Sequence, residues 1–225
     1  MTTLAICGID TGTGKSVVTG LLARHLHEEG TSVITQKPVQ TGCEGRSEDI
    51  LTHRRLMESG WLEEDELRLT CPFNFSFPGS PHLAARLEGR EIDPARITSA
   101  TRELERRYDT VLVEGAGGLM VPLTNDLLFI DFLADQGWPV VLVTSPRLGS
   151  INHTLMSLEI LRSRNLPLTG LVYNLYQSGL REIVEDSARV FAKALGRLDY
   201  PETLVTLPPW PDSRPVAWEH ILRNC

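Results

Sequence analysis

The chemistry of this chain is concentrated in residues 8–16, Gly8-Ile9-Asp10-Thr11-Gly12-Thr13-Gly14-Lys15-Ser16. An apolar run, Leu4-Ala5-Ile6-Cys7, leads into them and a helix-forming stretch follows. A strand, a glycine-rich loop and a Lys-Ser pair opening a helix together make a cradle for polyphosphate. Glycines let backbone N–H groups turn toward phosphate oxygens. Lys15 brings a cation to the β and γ oxygens, and the Ser16 hydroxyl can ligate Mg²⁺. The spacing departs from the usual Gly, four residues, Gly-Lys-Ser/Thr. Gly8 stands one residue early, with Ile9 in the expected place.

Further candidates follow along the chain. Lys37-Pro38-Val39-Gln40-Thr41-Gly42 offers a lysine able to neutralise a second anionic centre, although that segment alone also reads as a solvated lysine before a turn. Val113-Glu114-Gly115-Ala116-Gly117-Gly118 sets a carboxylate at the end of an apolar strand, where nucleotide hydrolases hold their metal-side acid, and glycines after it permit close approach. Asp49, in Ser47-Glu48-Asp49, reads alone as a first-turn acid meeting a helix dipole. Asp10 reads either that way or as a residue near metal, and Asp131 as a helix-surface acid. Arg147-Leu148-Gly149-Ser150-Ile151-Asn152-His153 opens another helix, whose free N–H groups could receive a carboxylate or whose start Ser150 could simply cap. Pro72 to His82 carries three of the six Phe and reads as an ordered loop, or an apolar plug on the sheet, leading into a helix at Pro81.

Behind these residues lies an alternation of strands and helices. Strands are expected at 4–7, 32–36, 110–113, 139–144, 168–173 and 203–207, mostly as continuous apolar runs of the kind found in a parallel sheet covered on both faces. Helices are expected near 14–29, 47–59, 81–88, 94–107, 127–136, 150–164 and 179–196, with Gly30, Gly137 and Gly196 at their C-terminal ends. The pattern is α/β, a doubly wound, mostly parallel sheet flanked by helices, with residues 1–225 forming one domain. In such sheets ligands bind beyond the carboxyl ends of the strands, which gathers loops 8–16, 37–45, 114–118, 144–150 and 174–177 on one edge.

The composition narrows the function. A net charge of −7 argues against a general nucleic-acid binder. No apolar run reaches a membrane span, and the N-terminus does not read as a signal peptide. Cys7, Cys43, Cys71 and Cys225 are scattered, which fits a reducing cytoplasm better than a disulfide or zinc scaffold, and Cys7 reads as a buried strand residue. The six histidines show no metal-ligand spacing.

In order and spacing, the phosphate loop, Lys37 to Gly42, Ser47 to Asp49, Ser80-Pro81-His82, Val113 to Gly118 and Leu148 to His153 resemble the dethiobiotin synthetase family from residue 4 to about 176. That family's phosphate loop has the longer spacing seen at Gly8. The resemblance implies a P-loop fold, a homodimer with the substrate site at its interface, and ATP-driven closure of a cyclic urea from 7,8-diaminopelargonic acid and CO₂ drawn from bicarbonate. It implies that Gly12, Thr13, Gly14, Lys15, Ser16, Val17, Asn174 and Pro208 bind the nucleotide, with loop 208–213 bordering the base. Ser16, Asp49 and Glu114 would hold Mg²⁺. Thr11, Lys15 and Lys37 would serve catalysis, with Lys37 also contacting the carbamate. Thr41, Gly117 and Gly118 would contact the diamine, and Leu148, Gly149, Ile151 and Asn152 its distal carboxylate. On this likeness Lys37→Ala abolishes turnover with the fold intact.

Three features depart from the family. Gly12 replaces an acid present in some relatives, Leu175-Tyr176-Gln177 differs from the commoner continuation after Asn174, and no aromatic near Arg181 to Ser187 matches one that holds the substrate carboxylate elsewhere. Rival classes fit less well. A partition-type nucleotide switch carries an extra lysine in a Lys-Gly-Gly pattern, where this chain has Gly8-Ile9-Asp10. An amidotransferase needs a second domain with a nucleophilic cysteine. A generic kinase needs a lid of arginines, whereas the pair nearest the site, Arg54 and Arg55, reads as helix surface. A protein that binds nucleotide without turnover would show affinity indifferent to the diamine.

Overall fold

A computed structural model describes residues 2–175, 180–209 and 216–223. Its frame is a six-stranded parallel sheet ordered β2-β5-β1-β6-β7-β8. The strands are β1 (Thr2–Gly8), β2 (Val33–Gln36), β5 (Thr110–Gly118), β6 (Val140–Thr144), β7 (Leu168–Asn174) and β8 (Leu204–Leu207). Between β2 and β5 a parallel pair of two-residue strands, β3 (Val39–Gln40) and β4 (Phe73–Asn74), forms a second small sheet. The helices are α1 (Lys15–Glu28), α2 (Glu48–Leu56), α3 (Glu63–Glu66), α4 (Pro81–Leu87), α5 (Pro94–Arg107), α6 (Phe129–Gln136), α7 (Ser150–Ser163), α8 (Arg181–Arg197) and α9 (Glu219–Leu222).

The apolar runs are continuous because successive side chains fill two different cores. Along β1, Leu4 and Ile6 join Val18, Leu22 and Leu26 of α1, whereas Ala5 and Cys7 face the other side, with Leu104, Leu158 and Phe191 from α5, α7 and α8. Cys7 is buried as expected. β1 lies between β5 and β6, and the chain leaves it toward β2 on one flank and later builds β6, β7 and β8 on the other. The loop after β1 therefore occupies the point where strand order reverses, the usual crevice of this architecture.

Several local expectations need correction. Gly137 closes α6 with φ +67°, and Gly30, at φ +84°, follows α1, but Gly196 lies inside α8. Asp199 takes the left-handed conformation after that helix instead. Gly149 is the residue before the first turn of α7, and Ser150 is helical, its hydroxyl set 3.3 Å from that of Ser145 rather than capping. β5 runs on through Gly115 to Gly118, which were expected as loop. Arg54 is buried against Asp65 rather than on a helix surface, whereas Arg55 is exposed. Phe73 and Phe75 fill the core beside β3, and Pro81 opens α4 as expected.

Candidate active site

The loop between β1 and α1 folds over itself tightly. Lys15 Nζ donates to the Asp10 carbonyl at 3.0 Å, and Thr13 Oγ1 to the same oxygen at 3.3 Å. A Cβ at Gly8 would stand 2.6 Å from Thr13 Oγ1 and 3.0 Å from the Lys15 stem, so the early glycine is where the loop packs on its strand. Gly14 has φ +86°, and a Cβ there would stand 2.0 Å from Asn174 Nδ2. That amide donates to the Thr13 carbonyl at 2.9 Å, tying the end of β7 to the loop. Gly12 and Thr11 are exposed at its crest, Val17 is half-buried on α1, and Pro208 is half-buried after β8. Residues 210–213 of the expected base-bordering loop, and Tyr176 and Gln177, lie outside the described residues.

Below the loop, residues from four segments converge. Ser16 Oγ lies 2.8 Å from Asp49 Oδ1 and 2.9 Å from Glu114 Oε1. Lys37 Nζ reaches Asp49 Oδ2 at 2.8 Å, Glu114 Oε1 at 2.9 Å and the Gly115 carbonyl at 2.9 Å, which satisfies all three of its N–H donors. Lys37 is 4% exposed and Glu114 1%, so the reading of Lys37 as a solvated residue is excluded. Their charges are mutually sustained. Burial pushes Glu114 upward, but Lys37, His53 and Lys15 outweigh it and hold the carboxyl well below its usual range. Burial likewise pulls Lys37 down, and Glu114 with Asp49 reverses it and holds the ammonium above its usual range. Lys15 has weaker support. Burial and then the Lys37 charge bring it to about 8.

The oxygen set suits a hard cation. One hydroxyl proton cannot serve both carboxylates that contact Ser16, whereas a divalent ion can accept all three oxygens. Among the described residues no three His, Cys, Asp or Glu side chains form a complete cation site. Two carboxylates and a hydroxyl are the partial set that Mg²⁺ uses when phosphates and water complete its shell.

The expected substrate residues fall into two groups. Thr41 follows Gln40, whose side chain accepts from Ser47 at 2.7 Å and from the Asp49 amide. Gly117 and Gly118 continue β5 past Glu114, and a Cβ at Gly117 would lie 3.7 Å from Thr11 Oγ1. Leu148, Gly149 and Asn152 are exposed at the start of α7, with Ile151 half-buried. Arg147, just before them, is bonded to Asp10 of the phosphate loop. Asp10 is thereby held by Arg147 and the Thr11 amide, apart from the Ser16, Asp49 and Glu114 cluster. Asp131 pairs with Arg164 on the α6 surface. Sequence reasoning missed His53, which is fully buried with Nε2 2.7 Å from Glu114 Oε2. Its signal was present, because His53 lies four residues after Asp49 on the same face of α2.

Comparisons with known proteins separate fold from family. A family model described as an AAA domain matches residues 2–209. Among solved structures, a ParA family ATPase from Chlorobium tepidum aligns with 99% of this chain and 90% of its own at TM-score 0.56 and 14% identity. The cell division protein FtsY from Thermotoga maritima aligns with 99% and 67% at TM-score 0.57 and 17% identity. These likenesses establish a P-loop type of fold and nothing finer. Sequence relatives are much nearer. ATP-dependent dethiobiotin synthetase BioD of Chlorobaculum tepidum is 54% identical over 202 residues, 90% of this chain and 84% of that protein. ATP-dependent dethiobiotin synthetase BioD 2 of Pasteurella multocida is 46% identical over 199 residues, 88% and 93% of the two chains. At that identity over most of both chains, the chain belongs to the dethiobiotin synthetase family.

Proposed function

We propose that the protein is an ATP-dependent dethiobiotin synthetase that joins CO₂ to 7,8-diaminopelargonic acid and closes the cyclic urea, releasing ADP and phosphate. One observation carries this reading beyond the family likeness. Lys37 and the Ser16, Asp49 and Glu114 oxygens are joined in one cluster at the end of the phosphate loop, with Lys37 and Glu114 buried and Ser16 and Asp49 half-buried. Phosphoryl transfer depends on positioning and on neutralising charge, and this cluster places a permanent cation beside a cation-binding oxygen set.

In this reading one amine of the diamine adds to CO₂ and loses a proton, giving a carbamate. A carbamate oxygen attacks the γ-phosphorus and ADP leaves. The second amine then attacks the carbonyl carbon of the mixed anhydride, loses a proton and expels phosphate, closing the ring. Gly12, Thr13, Gly14 and Val17 line the phosphates and Lys15 holds the β and γ oxygens. Ser16, Asp49 and Glu114 would hold Mg²⁺, which would supply charge neutralisation for the phosphates. Lys37 orients the carbamate and balances charge at the transferring group. Thr11, Thr41, Gly117 and Gly118 position the diamine, and the start of α7 from Leu148 to Asn152 receives its carboxylate, with a second copy completing that end. Asn174 and Pro208 border the base. The free, unpaired thiols Cys7, Cys43 and Cys71 suit a cytoplasmic setting. No helix among the described residues is long and apolar enough to cross a membrane.

The test is phosphate release from ATP, Mg²⁺ and bicarbonate, with and without the diamine. Release that requires the diamine, with a cyclic urea found by mass spectrometry, is expected. Release indifferent to the diamine would shift the assignment to a nucleotide switch.

A further inference from the structure

Glu114 ends in a soft torsion. The bond to its carboxylate rotates over a broad range unless something fixes it. Two oxygens that must face a cation, a hydroxyl and a lysine together therefore need an external hold. Tracing the partners of Glu114 outward gives one. Asp65, on α3, accepts from Arg54 Nε at 2.9 Å and Nη2 at 2.8 Å, from Thr70 Oγ1 at 2.7 Å and from the Leu62 amide at 2.8 Å. Arg54 Nη1 donates to Thr35 Oγ1, on β2, at 2.9 Å. Thr35 Oγ1 lies 3.0 Å from His53 Nδ1, and His53 Nε2 lies 2.7 Å from Glu114 Oε2. Every one of the five side chains from Asp65 to Glu114 is buried.

Proton counting gives the chain a direction. Arg54 only donates, so Thr35 Oγ1 accepts from it, and the same hydroxyl holds His53 Nδ1 at 3.0 Å. Glu114 Oε2 only accepts, so His53 Nε2 carries the proton between them. Each link fixes the next, and Oε2 of Glu114 is taken by His53 while Oε1 remains toward Ser16 and Lys37.

We infer that His53 is a positioning residue for Glu114, oriented by Thr35, Arg54 and Asp65 so that one carboxylate oxygen is presented to the cation that Ser16 and Asp49 share. The inference rests on the reading of Glu114 as a metal-side acid. Partners of this kind behind a ligand typically change metal affinity by about 10–100-fold when removed.

The test uses the full chain and reads metal binding directly, as Mn²⁺ bound to the ADP complex by electron paramagnetic resonance, beside the Mg²⁺ dependence of turnover. His53→Leu, close in volume and without a donor, is expected to weaken Mn²⁺ by about tenfold and raise the half-saturating Mg²⁺ to match, with the KM for the diamine unmoved. His53→Gln places an amide N–H near the position of Nε2 and is expected to stay within about threefold of the unmodified protein. A merely structural histidine would lower the melting temperature in both variants and leave the metal affinity of the folded protein alone. Unchanged Mn²⁺ affinity in folded His53→Leu, or no recovery in His53→Gln, overturns the inference. Should His53→Leu not fold, Thr35→Val cuts the chain one link farther out. A Mn²⁺ affinity lowered by about threefold supports the relay, and an unchanged one overturns it. Glu114→Gln is measured alongside. Its losing Mg²⁺ dependence while His53→Leu keeps it removes the His53 inference alone. Its keeping Mg²⁺ dependence removes the metal reading and the inference together.

Discussion

Lys37 and Lys15 are both buried and feel each other's charge, yet they have opposite electrostatic fates. Lys37 gains two carboxylates that outweigh its burial, whereas Lys15 gains mainly burial and a like charge. For Lys37 and Glu114 the raised cation and lowered acid contribute stability that is complete between their ordinary values of 4.5 and 10.5, lost below as Glu114 protonates and above as Lys37 deprotonates. Removing the cation leaves a buried carboxylate exposed to its desolvation cost. Lys37→Met is therefore expected to lower unfolding free energy by about 3–5 kcal/mol in urea denaturation, and turnover by roughly 10³-fold or more. The sequence expectation of lost turnover with the fold intact stands beside this added loss of stability, and an unfolding midpoint equal to that of the unmodified protein would overturn the latter. Lys15 follows the other sign. Its fall from 10.5 to about 8 means the unfolded chain binds more protons between those values, so this group adds stability as pH rises across them. Polyphosphate on the loop should restore the proton. Nucleotide binding near pH 8 is expected to take up about half a proton, read from the dependence of calorimetric heat on buffer ionisation enthalpy. No such dependence would show that Lys15 is already charged in the free protein.

The elements of the sheet were legible because each strand is a short apolar run closed by a loop of turn residues, a pattern that depends only on neighbours in the chain. β3 and β4 were not, since two-residue strands form where Val39 and Phe73 are brought together across thirty-odd positions, and nothing local marks either. Arg54 failed for a related reason. Its polarity says surface, and only α3, folded back to set Asp65 against it, lets the charge be buried. In the site, the loop, Lys37, Asp49 and Glu114 were readable from type and place, whereas Gln40 and His53 matter through what they touch. The pairing of α1 with β7 through Gly14 and Asn174 shows how strict such contacts are. Gly14→Ala must put a side chain at φ +86° and into the Asn174 amide, a strain of about 1–3 kcal/mol. The variant is expected to melt several degrees lower and bind ATP at least about tenfold more weakly, with Asn174→Ala added to it recovering part of the melting temperature but not the affinity. Full recovery of both would place the whole effect in the clash and none in the loop backbone.

At the scale of the molecule, the candidate site runs from buried residues, Lys37 and Glu114, to exposed ones at the start of α7. The phosphate loop, Lys37 and the carboxylate cluster lie within one chain, gathered where the strand order reverses. The start of α7, proposed to hold the far carboxylate of the substrate, carries Leu148 at 87% exposure, and Met156 farther along the same helix is also exposed. Large apolar side chains kept in water beside this proposed site fit a surface that a partner covers. A long diamine acid, anchored at its amines by the cluster, would extend toward that surface, which is why a second copy of the chain is proposed to complete it. Sedimentation equilibrium under assay conditions is expected to give a mass near twice the 25.0 kDa of one chain. Leu148→Glu sets a charge in the contact and is expected to shift the protein toward monomer and raise the KM for the diamine by about tenfold or more. Its affinity for ATP should hold, because the loop and the cluster draw on one chain alone. A chain that sediments as a monomer while turning over the diamine at full rate would place the whole substrate site within a single copy and remove the shared one.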